Sequence, residues 1–281
     1  MIRTIQIAIF ILATFLLTSC SHQSDNNITA NLKIKDLAPT NPDGSPKMNR
    51  LKTLNLDLNV VEIPMENFNK LNDVRRALKI RPIQFNNYLA FSDNSFSAYY
   101  GKNQMLSTVY DLLGMAGAQN LTGTAIMLPD GESQDILITP LPQMQIVSFS
   151  GIDGSPESAR VGPGAIAMHV SVKKVQSLDE AGTVTMYPVF TVMASNTISE
   201  LSLREKLRDF SFTSAALRLD MTPGDFIVLA PESLITDQTT LSGLFFCNLN
   251  GTMFMNIGQN KLPERKPSVR IYILTCLGMN L

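Results

Sequence analysis

The chain has 281 residues, with 23 basic and 24 acidic side chains and a formal net charge of −1. No basic excess or polybasic block points to nucleic acid or to an anionic lipid surface as a partner. An apolar content of 44 % with 17 % charge describes a folded protein, and the absence of tryptophan removes a common platform for stacking on sugars.

Arg3 starts the chain with positive charge, and Ile5 to Leu17 is apolar except for Gln6 and Thr14. Two small residues, Thr18 and Ser19, then precede Cys20. This order of charged start, apolar middle and small-residue cut site reads as a secretory signal peptide over residues 1–19. The apolar run falls short of the roughly 20 residues that span a bilayer. Leu17-Thr18-Ser19-Cys20 resembles the lipobox of bacterial lipoproteins. The resemblance implies cleavage between Ser19 and Cys20, and diacylglycerol on the cysteine sulfur as the attachment to the membrane. Ser21 follows instead of Asp, which by resemblance to enterobacterial sorting implies the outer membrane, with the folded domain facing the periplasm. The plainer readings are an ordinary cysteine after a simple signal peptide, or an uncut first helix.

Residues 20–50 are rich in Ser, Asn, Asp and Pro, as in Pro39-Thr40-Asn41-Pro42-Asp43-Gly44-Ser45-Pro46. Such composition offers little apolar area to bury and reads as a flexible tether. Leu32 and Ile34, alternating with Lys33 and Lys35, suit a short extended piece that docks on the domain.

Ordered structure is expected from about residue 51. Leu54, Leu56, Leu58 and Val60 alternate with Asn55, Asp57 and Asn59, the period of a half-buried strand. Phe68, Leu71, Val74 and Leu78 fall three or four apart and predict a helix over 66–79. A short strand is expected over 95–100. A second helix follows over 103–115, with Met105, Leu106, Val109, Leu112 and Leu113 on its apolar face and Gly114 and Gly117 at its end. Residues 51–120 thus form an α/β portion.

Residues 121–281 read as β-rich. Short strands are expected over 124–128, 135–139 and 144–150. The clearest pair is 165–175 with 183–193, a long antiparallel hairpin around Leu178-Asp179-Glu180-Ala181-Gly182. Ile166, Met168, Val170 and Val172 share one face of its first arm, and His169, Ser171 and Lys173 share the other. Pro188 suggests an edge or a bulge in the second arm. A brief helix is expected over 200–208. A hairpin follows with arms 210–219 and 226–230 around Thr222-Pro223-Gly224-Asp225, and a closing strand over 269–277. The fold class is α+β, dominated by antiparallel sheet with two short amphipathic helices in the first third. The two portions can share one sheet as one continuous domain.

Residues that carry chemistry are sparse. His22 and His169 are the two histidines, and neither has a ligand partner at metal spacing. No Gly-x-Ser-x-Gly accompanies His169 to make a triad. Ser171-Val172-Lys173-Lys174 matches Ser-x-x-Lys by letter, but on a strand its ends point opposite ways. Asp220 and Asp225 flank a turn, as a paired carboxylate or as ordinary exposed turn acids. Asp93-Asn94-Ser95 lacks the spacing of a calcium loop. No metal and no cofactor is expected. With Cys20 lipidated, Cys247 and Cys276 remain. They read either as a disulfide closing a loop of about 30 residues or as two buried, unpaired small hydrophobes.

Gly164 to Val172, Thr183 to Phe190, Leu219 to Leu229 and Val269 to Thr275 follow one another as strands, with a Gly-Asp turn before Ile-Val-Leu. That order resembles the β modules of secretins over roughly residues 162–277. The chain departs from them in lacking a Val-Pro-x-Leu-Gly segment, which puts pore formation in doubt. The resemblance implies a related β fold, or an accessory role beside secretion or pilus machinery. The expected function is therefore a lipid-anchored, non-enzymatic structural or assembly partner in the cell envelope that binds another envelope protein. The alternatives are a module for an envelope ligand and a carboxylate-based hydrolase.

Overall fold

The computed structural model describes residues 53–174, 181–192, 209–254 and 263–280. The expected signal peptide and tether, Leu32 and Ile34, and the brief helix over 200–208 lie outside the described residues.

In chain order the elements are β1 (Thr53–Pro64), a 3-10 turn (Met65–Lys70), α1 (Leu71–Ala77), β2 (Gln84–Phe85), α2 (Tyr88–Asp93), β3 (Phe96–Lys102) and α3 (Asn103–Met115). There follow β4 (Gln119–Pro129), β5 (Ser133–Leu141), β6 (Gln145–Ser150), β7 (Pro156–Val161), β8 (Gly164–Lys174) and β9 (Gly182–Thr191). The rest is β10 (Phe210–Ser211), β11 (Leu217–Met221), β12 (Asp225–Pro231), α4 (Leu241–Phe246), β13 (Cys247–Phe254) and β14 (Glu264–Asn280). The expected α+β class, β-rich and mainly antiparallel, is what this chain adopts.

A central six-stranded sheet runs β3-β12-β14-β1-β4, with β13 also on β14, and an outer sheet runs β2-β11-β9-β8-β5, with β10 on β9. β6 and β7 form a separate hairpin. The central sheet is covered on both faces, and its middle strands read accordingly. On β14, Tyr272, Leu274 and Cys276 face the outer sheet, whereas Val269, Ile271 and Ile273 face α1 and α3. Burial on two sides is why Val269 to Leu274 reads as a nearly continuous apolar run rather than an alternating one. On β1 the predicted alternation holds: Leu54, Leu56 and Leu58 meet the outer sheet, and Val61 and Ile63 meet the helices.

β1 and β4 come from the first 129 residues and β12 and β14 from the last 60, yet they share one sheet. The 51–120 and 121–281 portions thus share one sheet within one compact unit, the continuous arrangement that the sequence allowed.

Three further expectations change. The helix over 66–79 divides into the 3-10 turn and α1, which buries Leu71 and Val74. Asn67 and Asn69, poor helix formers, fall in the 3-10 part. The arms around Thr222-Pro223-Gly224-Asp225 do not pair with each other: β11 lies on β9 in the outer sheet and β12 between β3 and β14 in the central one. The turn itself forms, with Asp225 N–H donating to Thr222 O at 2.9 Å and Gly224 at φ +85°, but it carries the chain across the sandwich. Pro188 lies inside the sheet, not at an edge. It falls where the neighbour of β9 changes from β11, which pairs up to Met186, to β10, which pairs from Val189, so the missing N–H coincides with a gap.

Candidate functional site

Two strand edges lie on one side of the sandwich, joined by the turn from Pro129 to Glu132. Among the described residues β4 pairs only with β1, and β5 only with β8. Gly131, at φ +84°, lets the turn reverse, and its N–H donates to Val172 O at 2.9 Å. From Asn120 to Leu128 β4 carries no charged side chain. Natural edges are ordinarily blunted by Lys, Pro or cover, because unpaired N–H and C=O groups template a further strand. The other edge of the central sheet has such cover: Lys79 N–H donates to Tyr100 O at 3.2 Å, and Tyr100 N–H to Lys79 O at 2.7 Å. Leu121, Met127 and Leu137 stand exposed at 41, 62 and 59 % along β4 and β5.

Behind this side a polar seam crosses the sandwich. The Glu62 carboxylate is fully buried and pairs with Arg270 Nε at 3.1 Å. Its other oxygen accepts from Ser268 Oγ at 2.5 Å and from Thr252 Oγ1, while Asn248 Nδ2 reaches both oxygens. Arg270 Nη1 donates to Thr139 Oγ1 at 2.8 Å, and that hydroxyl donates to Leu244 O at 2.7 Å. The network ties β1, β13 and β14 to β5 and α4. Every oxygen of the carboxylate is occupied by protein, so it is built to hold the fold and not to receive a substrate.

The residues singled out from the sequence are scattered. Ser19 and Cys20, as well as His22, lie outside the described residues. Cys247 and Cys276 do not bridge: both are free and buried. Cys247 sits opposite Val269, and Cys276 lies seven positions further along β14, about 23 Å at roughly 3.3 Å per residue. A disulfide needs Cα atoms within about 7 Å. Cys247 Sγ instead donates to Ile235 O at 3.0 Å, and burial pushes each thiol up to about 11.

Asp220 and Asp225 are not a pair either. Asp220 is exposed and accepts from Thr183 Oγ1 at 2.5 Å on the outer sheet. Asp225 is buried on the central one. It accepts from Lys102 Nζ at 2.8 Å, Tyr100 Oη at 2.9 Å, and the N–H and hydroxyl of Thr222 at 2.7 and 2.8 Å. Burial by itself raises its carboxyl, but the bonds from Lys102, Thr222 and Tyr100 outweigh it and hold the group below the usual carboxylate range.

The strand pairing sets Asp135 directly opposite His169, and Nδ1 lies 2.6 Å from the carboxylate. The ring also packs on Tyr187, with centroids 4.6 Å apart. Among the described residues no serine or cysteine bonds to this imidazole, so the pair is a cross-strand contact without a nucleophile. No group of three or more His, Cys, Asp or Glu side chains is placed to hold a metal among the described residues.

A cleft between the β6–β7 hairpin, the end of α2 and the start of α4 was not legible in the sequence. Its residues, among them Asp93, Ser150, Glu157 and Ser242, come from three separate stretches. The local signals were there: Asn87 caps α2, and Thr240 caps α4 by accepting from Gly243 N–H at 3.1 Å. What brings these stretches together is tertiary.

Compared with protein-family models, curated proteins and solved structures, the chain matches none.

Proposed function

We propose that this protein is a lipid-anchored, non-enzymatic assembly partner of the bacterial cell envelope, which binds an envelope protein by accepting a strand on β4. The observation that carries this reading is the uncharged edge from Asn120 to Leu128, uncovered among the described residues while the opposite edge is capped by Lys79. Main-chain bonds supply affinity in strand addition, and alternate side chains supply selectivity. Leu121, Met127 and Leu137 offer apolar contacts beside that edge. The Leu17-Thr18-Ser19-Cys20 stretch supports the anchor, with acyl chains on Cys20 holding the domain to the outer membrane on its periplasmic side. The likeness of residues 162–277 to secretin modules supports a place beside secretion or pilus machinery.

A photoreactive residue at position 127 in intact cells tests the partner role. The expected result is one adduct with an envelope protein, absent when the photoreactive residue is at position 79 and reduced severalfold by Ala125→Pro. Recovery of the monomer alone from position 127 overturns it. Cys20→Ala is expected to release the protein from membranes, and unchanged fractionation and mature mass would remove the anchor.

A further inference from the structure

The cleft between the β6–β7 hairpin, α2 and α4 has a volume of about 620 Å³, within the range of small-molecule sites. Its walls are fixed. Asn94 Nδ2 donates to Ala90 O and to Ser150 O, both at 2.8 Å, and Asn94 Oδ1 accepts from Ser150 N–H at 2.8 Å. Ser148 N–H donates to Thr239 O at 2.7 Å, so the hairpin is stitched both to α2 and to the approach to α4.

Two of its lining groups are left without partners. Ser242 is 2 % exposed and Ser150 half-buried, and neither hydroxyl has a hydrogen-bond partner among the described residues. Only four buried side-chain polar atoms among those residues are in this state, and two of them line this one cleft. A buried hydroxyl without a partner forfeits the hydrogen bonds it had in water. Its persistence here calls for a group that enters the cleft.

The charge of the lining identifies that group. Asp93 and Glu157 both line the cleft, no Lys, Arg or His does, and neither acid is in an ion pair among the described residues. Glu157 lies directly over Gly151, where a Cβ would collide with its carboxylate. The one aromatic ring, Phe149, packs edge-on with Phe210 and Phe212 at centroid distances of 5.7 and 5.1 Å. A sugar therefore finds no free ring to stack on, whereas a cation finds two carboxylates and a set of hydroxyl acceptors. The geometry points to a binding site for a small organic cation, with an ammonium or guanidinium group donating to Glu157, Asp93 and the orphan hydroxyls of Ser150 and Ser242. The same chemistry reaches the cleft either as a free amine or as the basic side chain of a bound peptide.

Calorimetric titration of the purified full-length protein with agmatine, and separately with tri-lysine, tests this. Saturable one-to-one binding is expected. Glu157→Gln and Asp93→Asn are each expected to weaken it by about tenfold, the scale of one charge-assisted hydrogen bond. Gly151→Ala keeps both charges but displaces the Glu157 carboxylate, and is expected to weaken binding as well. Ser242→Ala is expected to weaken binding severalfold with a Tm at least as high as the parent's, which a hydroxyl serving only the fold would not give. Binding of agmatine assigns a free amine, and binding of tri-lysine alone assigns a side chain. Binding of neither, binding unchanged in Glu157→Gln and Asp93→Asn, or displacement of agmatine by equimolar trehalose overturns the site.

Discussion

The Glu62 seam and the hydroxyl cleft are both polar regions set into an apolar sandwich, and they are opposites in how their groups are satisfied. In the seam, Arg270, Ser268, Thr252 and Asn248 saturate one carboxylate, and Thr139 carries the network on to α4. In the cleft, two acids stand without a cation and two hydroxyls without a partner. Saturation marks the seam as architecture: losing one member strands the rest in a low-dielectric interior. The hydroxyls of the cleft lack partners within the fold, and the proposed cation would supply them. Removing a group should therefore cost stability in the first region and recognition in the second.

The largest expected effect comes from breaking the seam. Glu62→Ala leaves the partly buried Arg270 guanidinium without its counter-charge, and should lower unfolding free energy by about 3 kcal/mol in urea denaturation. Glu62→Leu combined with Arg270→Met removes both charges together. It should recover part of that loss, because no unpaired charge is left, while Ser268, Thr252 and Asn248 still lack the acceptor they had. If the double variant is as unstable as the single one, the seam's role is not electrostatic.

Asp225→Asn should cost about 1.5–3 kcal/mol at neutral pH, since the Lys102 ammonium loses a charged acceptor. The folded-state carboxyl sits below its unfolded value of about 3.9, so its contribution is present in full above that value. It is lost as pH falls through the lower, folded-state value, and the gap between parent and variant should close over the same interval. Asp220→Asn, on the exposed face, should stay within about 0.5 kcal/mol throughout.

The smallest effects on stability belong to groups that bond to nothing within the fold or are sealed inside it. Ser150→Ala should leave stability within about 0.5 kcal/mol of the parent or slightly above it, because the hydroxyl removed had no partner. Cys247 and Cys276 should react with a thiol reagent at pH 8 only after unfolding, since burial pushes both up to about 11. Both should then be counted as free thiols without any reductant, and a missing pair would restore the disulfide.

Periodicity alone determined much of this molecule. The alternation of Leu54, Leu56 and Leu58, the stripe on α3, and the 165–175 and 183–193 hairpin are local patterns, and side-chain burial enforces them wherever the segment ends up. Turn residues were equally legible, since Thr222-Pro223-Gly224-Asp225 encodes its own geometry. Which strand lies beside which was decided only by tertiary structure. A turn fixes how the chain reverses but not which sheet its second arm joins, and β12 left its predicted partner for the flank of β14, where both its faces are buried. The same reason hid the cleft and separated the two cysteines. Asp93, Ser150, Glu157 and Ser242 carry no mutual spacing for the sequence to display, and meet because packing three elements against one core leaves the space between them.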